Sequence, residues 1–344
     1  MRAVTFQEPG NVAIEERPDP EPIAPDDAVV RVEASGICGS DLHIYHGRVQ
    51  IEPGFTLGHE YVGTVVEAGD AVSGVSVGDR VLGTFHTACG LCFFCRHGTF
   101  QKCDAARVFG HGKTLGSLQG TQAEAALVPT ANLTLRRVPE GISDGAALFA
   151  GDVMGTGYHA VVAAGLRPGD TCAVVGLGPV GLCAVMAAQA AGAAQVVAID
   201  TVEERLATAR ELGATAVHAT EEDPRRVVKA LTEGRGVDVA VDAVGHPSAF
   251  ETCCRLARKL GTVSVIGVYA ERAEVHMGIL WLKSLNLVTG HANVLGHLDN
   301  VLALLATGQL DVTPLLSREM PLDDAADAYA TYDRREALKI VLRP

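Results

Sequence analysis

Basic residues are in short supply: 28 Lys and Arg face 41 Asp and Glu, for a formal net charge of −13. A chain of that sign has no electrostatic grip on nucleic acid phosphates or anionic lipid. Neither is expected as a partner, and small-molecule chemistry fits better. Also missing is the long apolar run of a secretion signal: the opening stretch, MRAVTFQEPGNVAIEERPDPEP, carries Glu8, Glu15 and Glu16 instead. The expected location is cytoplasmic. There is no internal repeat and no low-complexity linker, so the chain reads as folded domains throughout. One stretch, Thr171 to Ile199, lacks charge altogether and is long enough to cross a bilayer. Gly176, Gly178, Pro179, Gly181 and Gly192 interrupt it, however, and it parses as strand, turn, helix, turn, strand. Strands buried in a parallel sheet are apolar throughout, so no membrane span is expected.

The chain does have length, apolar residues and cysteine. Its 344 residues, 48% of them hydrophobic, suit roughly two domains of ~150 residues each. Nine cysteines is an odd number, which in an unexported chain argues for thiols and metal ligation over a disulfide framework. Cys89, Cys92, Cys95 and Cys103 follow C-x2-C-x2-C-x7-C, a spacing that lets four thiolates converge from one short loop. Zinc is the expected occupant, with packed thiols or a redox pair as the alternatives. An all-cysteine site leaves no position for substrate and is therefore structural. It would order a loop whose Gly90, Gly98 and Lys102 give it little to bury.

Residues 1–152 are dense in short apolar runs broken by turn signals, such as DAVVRVEASGICG, YVGTVVEAG and VSVGDRVLG, and read as an irregular β domain. Residues 153–290 alternate β runs (TCAVVG, QVVAID, DVAVDAVG, GTVSVIGV) with helical stretches such as VEERLATARELG, the mark of a parallel sheet with crossover helices. Residues 291–344 return to mixed structure and rejoin the first domain, with LDNVLALLATG helical and ALKIVLRP a last strand.

Within the α/β part, GLGPVG matches G-x-G-x-x-G at Gly176, Gly178 and Gly181, after the strand TCAVV and at the start of a helix. A tight strand-to-helix turn would satisfy the same pattern. The flanking elements favour a dinucleotide: two glycines for the turn and the pyrophosphate, a third for close helix packing, and a helix amino terminus for the anion. Asp200 ends the next strand, where a carboxylate binds both adenosine-ribose hydroxyls and repels a 2′-phosphate, so NAD is expected over NADP. Arg205, a nearby cation, tempers that preference. Cys38 in GICGSDLHIYHG and the His59-Glu60 pair in TLGHEYVG add one thiol, one imidazole and one carboxylate.

Taken in order, GICGSDLH, GHEYVGTVVEAG, VGDRV, the cysteine loop, GDVMGTGYHA and GLGPVGL resemble the zinc-dependent medium-chain alcohol dehydrogenases over nearly the whole chain. The resemblance implies an α/β protein, a GroES-like catalytic domain joined to a doubly wound Rossmann cofactor domain, with the catalytic cleft between them. It implies two zinc ions per chain, one structural at the four cysteines and one catalytic on Cys38, His59 and Asp152. Aspartate replaces the cysteine found in many animal and plant members and resembles bacterial secondary-alcohol and formaldehyde-dehydrogenase-like members. Three ligands leave a position for the substrate oxygen, whose pKa the zinc would lower. Asp41 corresponds to a carboxylate that holds the ligating imidazole, and Glu60 to a neighbour standing behind the metal's ligands, with transient coordination as the alternative. Ser40 and His43 match the relay that carries the alcohol proton to water. Thr156 and Val180 match positions that press the nicotinamide forward, Arg205 a contact to the adenosine ribose, and Lys339 a basic contact to the pyrophosphate. Phe85 and Trp281 are candidate pocket walls, with core packing the alternative for Trp281. The implied reaction is hydride transfer between a primary or secondary alcohol and NAD, giving an aldehyde or ketone. L-threonine or formaldehyde dehydrogenase, a zinc-free quinone reductase and, in another class, a zinc-ribbon binding module are the rivals. A homo-oligomer is implied, a tetramer over a dimer, with GTVSVIGV and the following AERAEVHM as the pairing edge.

Overall fold

The computed structural model describes residues 1–269 and 272–344. The chain divides into two compact units, Met1–Gly155 with Asn293–Pro344, and Thr156–Ala292. The sequence boundaries were 152/153 and 290/291.

In the first unit the short Val-rich runs build a mostly antiparallel sheet in the order Arg318–Pro321, Ile340–Arg343, Ala28–Gly36, Glu60–Ala68, Arg80–Gly83, Leu135–Arg137, with Ala125–Val128 also pairing Ala28–Gly36. Val30, Val32, Val65, Val81 and Phe109 fill one core, and Val4, Ile37, Ile44, Leu57 and Tyr329 another. Register matters most at one end. Gly36 pairs with Glu60 and Ser35 with Tyr61, so the chain leaving one strand toward Cys38 lies beside the chain entering the next through His59. The helix Gly39–Tyr45 starts immediately after Cys38. Farther on, Ser143 caps the helix Asp144–Ala150 by accepting from the Ala146 amide at 3.2 Å. Leu148 and Phe149 of that helix are fully buried, which anchors it by about 2–3 kcal/mol per side chain. Gly151 then passes so close to the Gly83 carbonyl that a Cβ would collide with it, and Asp152 follows before the helix Val153–Val162 begins.

The second unit is an all-parallel sheet ordered Thr215–His218, Gln195–Asp200, Thr171–Val175, Val237–Asp242, Ala257–Val265, Asn286–Thr289. The strand order reverses beside Thr171–Val175, the position at which doubly wound sheets bind ligands. The uncharged stretch is two of these strands and the helix Pro179–Ala190, and no helix among the described residues is long and apolar enough to cross a membrane.

Two expectations need correction. GTVSVIGV is not the sheet edge: its strand lies between Val237–Asp242 and Asn286–Thr289, and the short NLVT run is outermost. The first two residues of AERAEVHM fall outside the described residues. Trp281 belongs to no core, being 77% exposed on the helix Met277–Lys283.

Candidate active site

Register and the Gly151 corner bring three distant segments to one point. One ligand atom each from Cys38, His59, Glu60 and Asp152 lies within 4.8 Å of all the others, and all four residues are buried. His59 Nε2 is 3.3 Å from Asp152 Oδ2 and 3.3 Å from Ser40 Oγ. Its other nitrogen, Nδ1, is 3.1 Å from Asp41 Oδ1. Asp41 Oδ2 accepts from the Cys38 amide at 2.9 Å, so one carboxylate fixes the backbone of one candidate ligand and the ring of another. The edge of Phe85 faces His59, with ring centroids 6.5 Å apart.

Burial and charge set the protonation of these groups. Burial pushes the Cys38 thiol up to about 11, with Asp152 adding to the effect. It opposes ionisation of Asp152 too, but the hydrogen bond and charge of His59 outweigh it and hold that carboxyl well below the usual range. His59 is itself raised well above the ordinary imidazole value, because Asp41 and Asp152 overcome the cost of its burial. Three carboxyl groups and a thiol thus crowd a dry space beside a single lysine. Such an excess of buried acid calls for a cation, and a mixed S, N and O donor set is one that zinc accepts. Cys38, His59 and Asp152 fit that ion.

The lysine is Lys339, and its expected contact with pyrophosphate is corrected here. It is fully buried, its ammonium paired with the Glu60 carboxylate and donating to the Ile37 carbonyl at 3.2 Å. The attraction of Glu60 outweighs burial and raises its pKa, so it stays charged. Gly36 makes the room: a Cβ there would collide with the Glu60 carboxylate.

Sequence reasoning missed three neighbours. His111 stacks edge-on to His59 with ring centroids 5.1 Å apart. Gln122 and Tyr329 are both fully buried behind Asp41. Their only signal was a polar amide at the mouth of the apolar strand AALV and a tyrosine inside a small-residue helix, both too common to single out.

The four loop cysteines also converge, their sulfurs within 4.8 Å of one another. Backbone amides point at the sulfurs: Cys89 N–H donates to Cys103 Sγ at 3.2 Å, and Cys92 N–H to Cys89 Sγ at 3.4 Å. Leu295 packs on the cluster, and Asn293 donates to the Gly98 carbonyl at 2.7 Å. All nine cysteines are free of disulfides. The arrangement fits a closed tetrahedral metal site.

In the other unit, Gly176 takes φ +89°, a left-handed conformation that suits glycine, and Gly181 packs where a Cβ would collide with the Gly176 carbonyl. Gly178 precedes the helix Pro179–Ala190, whose second residue is Val180. Asp200 Oδ2 accepts from the Leu177 amide at 2.6 Å, and Oδ1 from the Thr201 and Val202 amides at 2.6 and 3.0 Å. Arg205 Nη1 is 3.8 Å from Asp200. Asp200 therefore joins the glycine loop to the next strand's end and turn. Thr156 is partly exposed on the helix Val153–Val162.

Fold and site together define a zinc-dependent oxidoreductase with a nucleotide-binding domain. A model of the alcohol dehydrogenase GroES-like domain matches residues 24–140, and one of zinc-binding dehydrogenases matches residues 179–307. A protein named as a probable zinc-binding alcohol dehydrogenase of Mycobacterium tuberculosis is 39% identical, over 100% of this chain and 89% of its own. Among solved structures, alcohol dehydrogenase TADH from Thermus sp. ATN1 superposes with a TM-score of 0.97 at 42% identity, covering 100% of this chain and 99% of its own. A zinc-binding dehydrogenase of Sinorhizobium meliloti bound to NADP gives 0.88 at 32% identity, covering 100% and 99%. The chain belongs to the zinc-dependent medium-chain alcohol dehydrogenase family.

Proposed function

We propose that the protein interconverts primary or secondary alcohols and their aldehydes or ketones, with NAD as the hydride acceptor and two zinc ions per chain. The observation that carries this reading is the convergence of Cys38, His59 and Asp152, with Glu60, in one buried pocket. A zinc ion held there by Cys38, His59 and Asp152 would supply Lewis acidity that lowers the pKa of the alcohol. Ser40, whose Oγ is 3.3 Å from His59 Nε2, stands beside the pocket to take the hydroxyl proton. His43, one turn farther along the same helix, receives it for release to water. Burial, then Arg48 and His46, hold His43 below the ordinary imidazole value, so it is neutral and able to accept at pH 7. Asp41 keeps His59 Nδ1 engaged and so leaves Nε2 for the metal.

For the cofactor, Gly176, Gly178 and Gly181 admit the pyrophosphate to the helix amino terminus. Asp200 Oδ1 already accepts two amides, whereas Oδ2 accepts one and keeps a lone pair for a ribose hydroxyl, and the carboxylate opposes a 2′-phosphate. Arg205 is the counterweight, and the NADP-bound Sinorhizobium protein makes the distinction worth measuring. The test is cofactor reduction at 340 nm with NAD and with NADP over primary alcohols, secondary alcohols, polyols, formaldehyde and L-threonine, with zinc analysis alongside. We expect turnover of simple alcohols with NAD favoured at least ~10-fold, abolished in Cys38→Ser and Asp152→Ala. Activity indifferent to both substitutions, or a protein without zinc, would favour a quinone reductase instead.

A further inference from the structure

Asp41 does not stand alone behind His59. Its Oδ2 faces Gln122 Nε2 at 3.4 Å, and the same amide nitrogen donates to the Gly36 carbonyl at 3.0 Å. The other end of the Gln122 amide, Oε1, accepts from the Tyr329 hydroxyl at 2.8 Å. Tyr329, Gln122 and Asp41 are each 0% exposed, so no bulk water competes for these groups. An amide can face either way, and here its orientation follows from its partners. The Gly36 carbonyl accepts only, so the nitrogen must lie on the Asp41 side, and the oxygen then needs a donor, which the Tyr329 hydroxyl provides. The backbone of Gln122 is pinned as well, its carbonyl accepting from Val4 at 2.8 Å and its amide donating to Leu57 at 2.9 Å.

We infer that Tyr329 and Gln122 are positioning residues of the Cys38, His59, Asp152 site: they fix Asp41, and through it the His59 ring and the Cys38 backbone, in the geometry that holds the metal. The inference rests on the proposed zinc site. Tyr329 lies on the helix Ala325–Asp333, so a carboxy-terminal element thereby reaches the ligands over a chain of three side chains. Removing the hydroxyl strands the buried Gln122 oxygen and loosens the amide that braces Asp41, although the Gly36 carbonyl still keeps the nitrogen on that side.

The test compares zinc-loaded wild type, Tyr329→Phe, Asp41→Asn and the double variant, by the rate at which an excess of a chromogenic chelator extracts zinc, and by the visible spectrum after Co²⁺ substitution. Loss of a residue directly behind a metal ligand loosens a metal about 10–100-fold, so Asp41→Asn is expected in that range and Tyr329→Phe at roughly 3–10-fold. In the Asp41→Asn background Tyr329→Phe should add nothing, because the path through Asp41 is already broken. Gln122→Met, which keeps volume and loses the amide, should repeat the Tyr329→Phe result, and it replaces that variant if the latter fails to fold. Zinc release and Co²⁺ spectrum unchanged in the variants would overturn the inference. So would equal effects of Tyr329→Phe in both backgrounds, which would mark a purely structural role. A wild type whose zinc content is unaffected by Cys38→Ser would instead overturn the proposed site itself, and the inference with it.

Discussion

Lys339 shows what one side chain can hide. Buried lysine is rare, and in EALKIVL nothing separates an outward lysine from an inward one, so only the resemblance gave it a role, as a pyrophosphate contact. The structure turns it inward, where its ammonium pairs with the buried Glu60 carboxylate next to a candidate metal ligand. By contrast Cys38 and His59 drew attention as a thiol and an imidazole in glycine-rich runs, while Asp152 was reached only through the family resemblance. Lys339→Met leaves the Glu60 carboxylate buried without its partner and is expected to destabilise the protein by about 3–5 kcal/mol. Pairing it with Glu60→Gln removes the stranded charge and should restore most of the loss. Urea unfolding of the zinc-loaded variants measures both, and a single variant within ~1 kcal/mol of wild type would mean that the pair contributes little.

At the scale of elements, strands and crossover helices followed from runs of Val and Ile and from the alternation of periods, whereas order within the sheets did not. A four-residue strand such as Asn286–Thr289 carries too few residues to outweigh the longer GTVSVIGV run, and pairing partners depend on contacts that no local pattern encodes. The helix Asp144–Ala150 matters because its end delivers Asp152. It is fastened at its first residue: Asp144 Oδ1 accepts from Arg80 at 2.6 and 2.9 Å, and Oδ2 from Arg343 at 3.0 Å. Burial works against ionisation there, but the two arginines prevail and lower its pKa. Stability from a depressed carboxyl is present above the ordinary aspartate value and disappears as the pH falls through the folded value. Asp144→Asn should therefore cost about 2 kcal/mol at pH 7, with the gap to wild type closing below pH ~4. Urea midpoints at the two pH values check this, and a gap that persists in acid would assign the effect to packing.

For the whole molecule, the division into a β unit and an α/β unit was visible as a change of composition along the chain, and so was the return of the carboxy-terminal segment. Assembly was not, because it depends on which strand ends outermost. That strand, Asn286–Thr289, pairs with Ala257–Val265 on one side and with no other strand among the described residues on the other. Leu287 on it is 45% exposed, and the preceding helix presents Trp281 and Leu282, both more than 70% exposed. An open edge flanked by large apolar side chains is a surface that proteins normally cover. The homo-oligomer that the family resemblance implies would pair a second copy of this chain with this edge. Light scattering should then give a mass of at least twice the 35.9 kDa of one chain. Leu287→Lys should shift the population toward that of one chain, because a charge at the pairing edge opposes strand addition. A wild type that elutes as a monomer would leave the edge to another partner, and an oligomer indifferent to Leu287→Lys would place the contact on a different face.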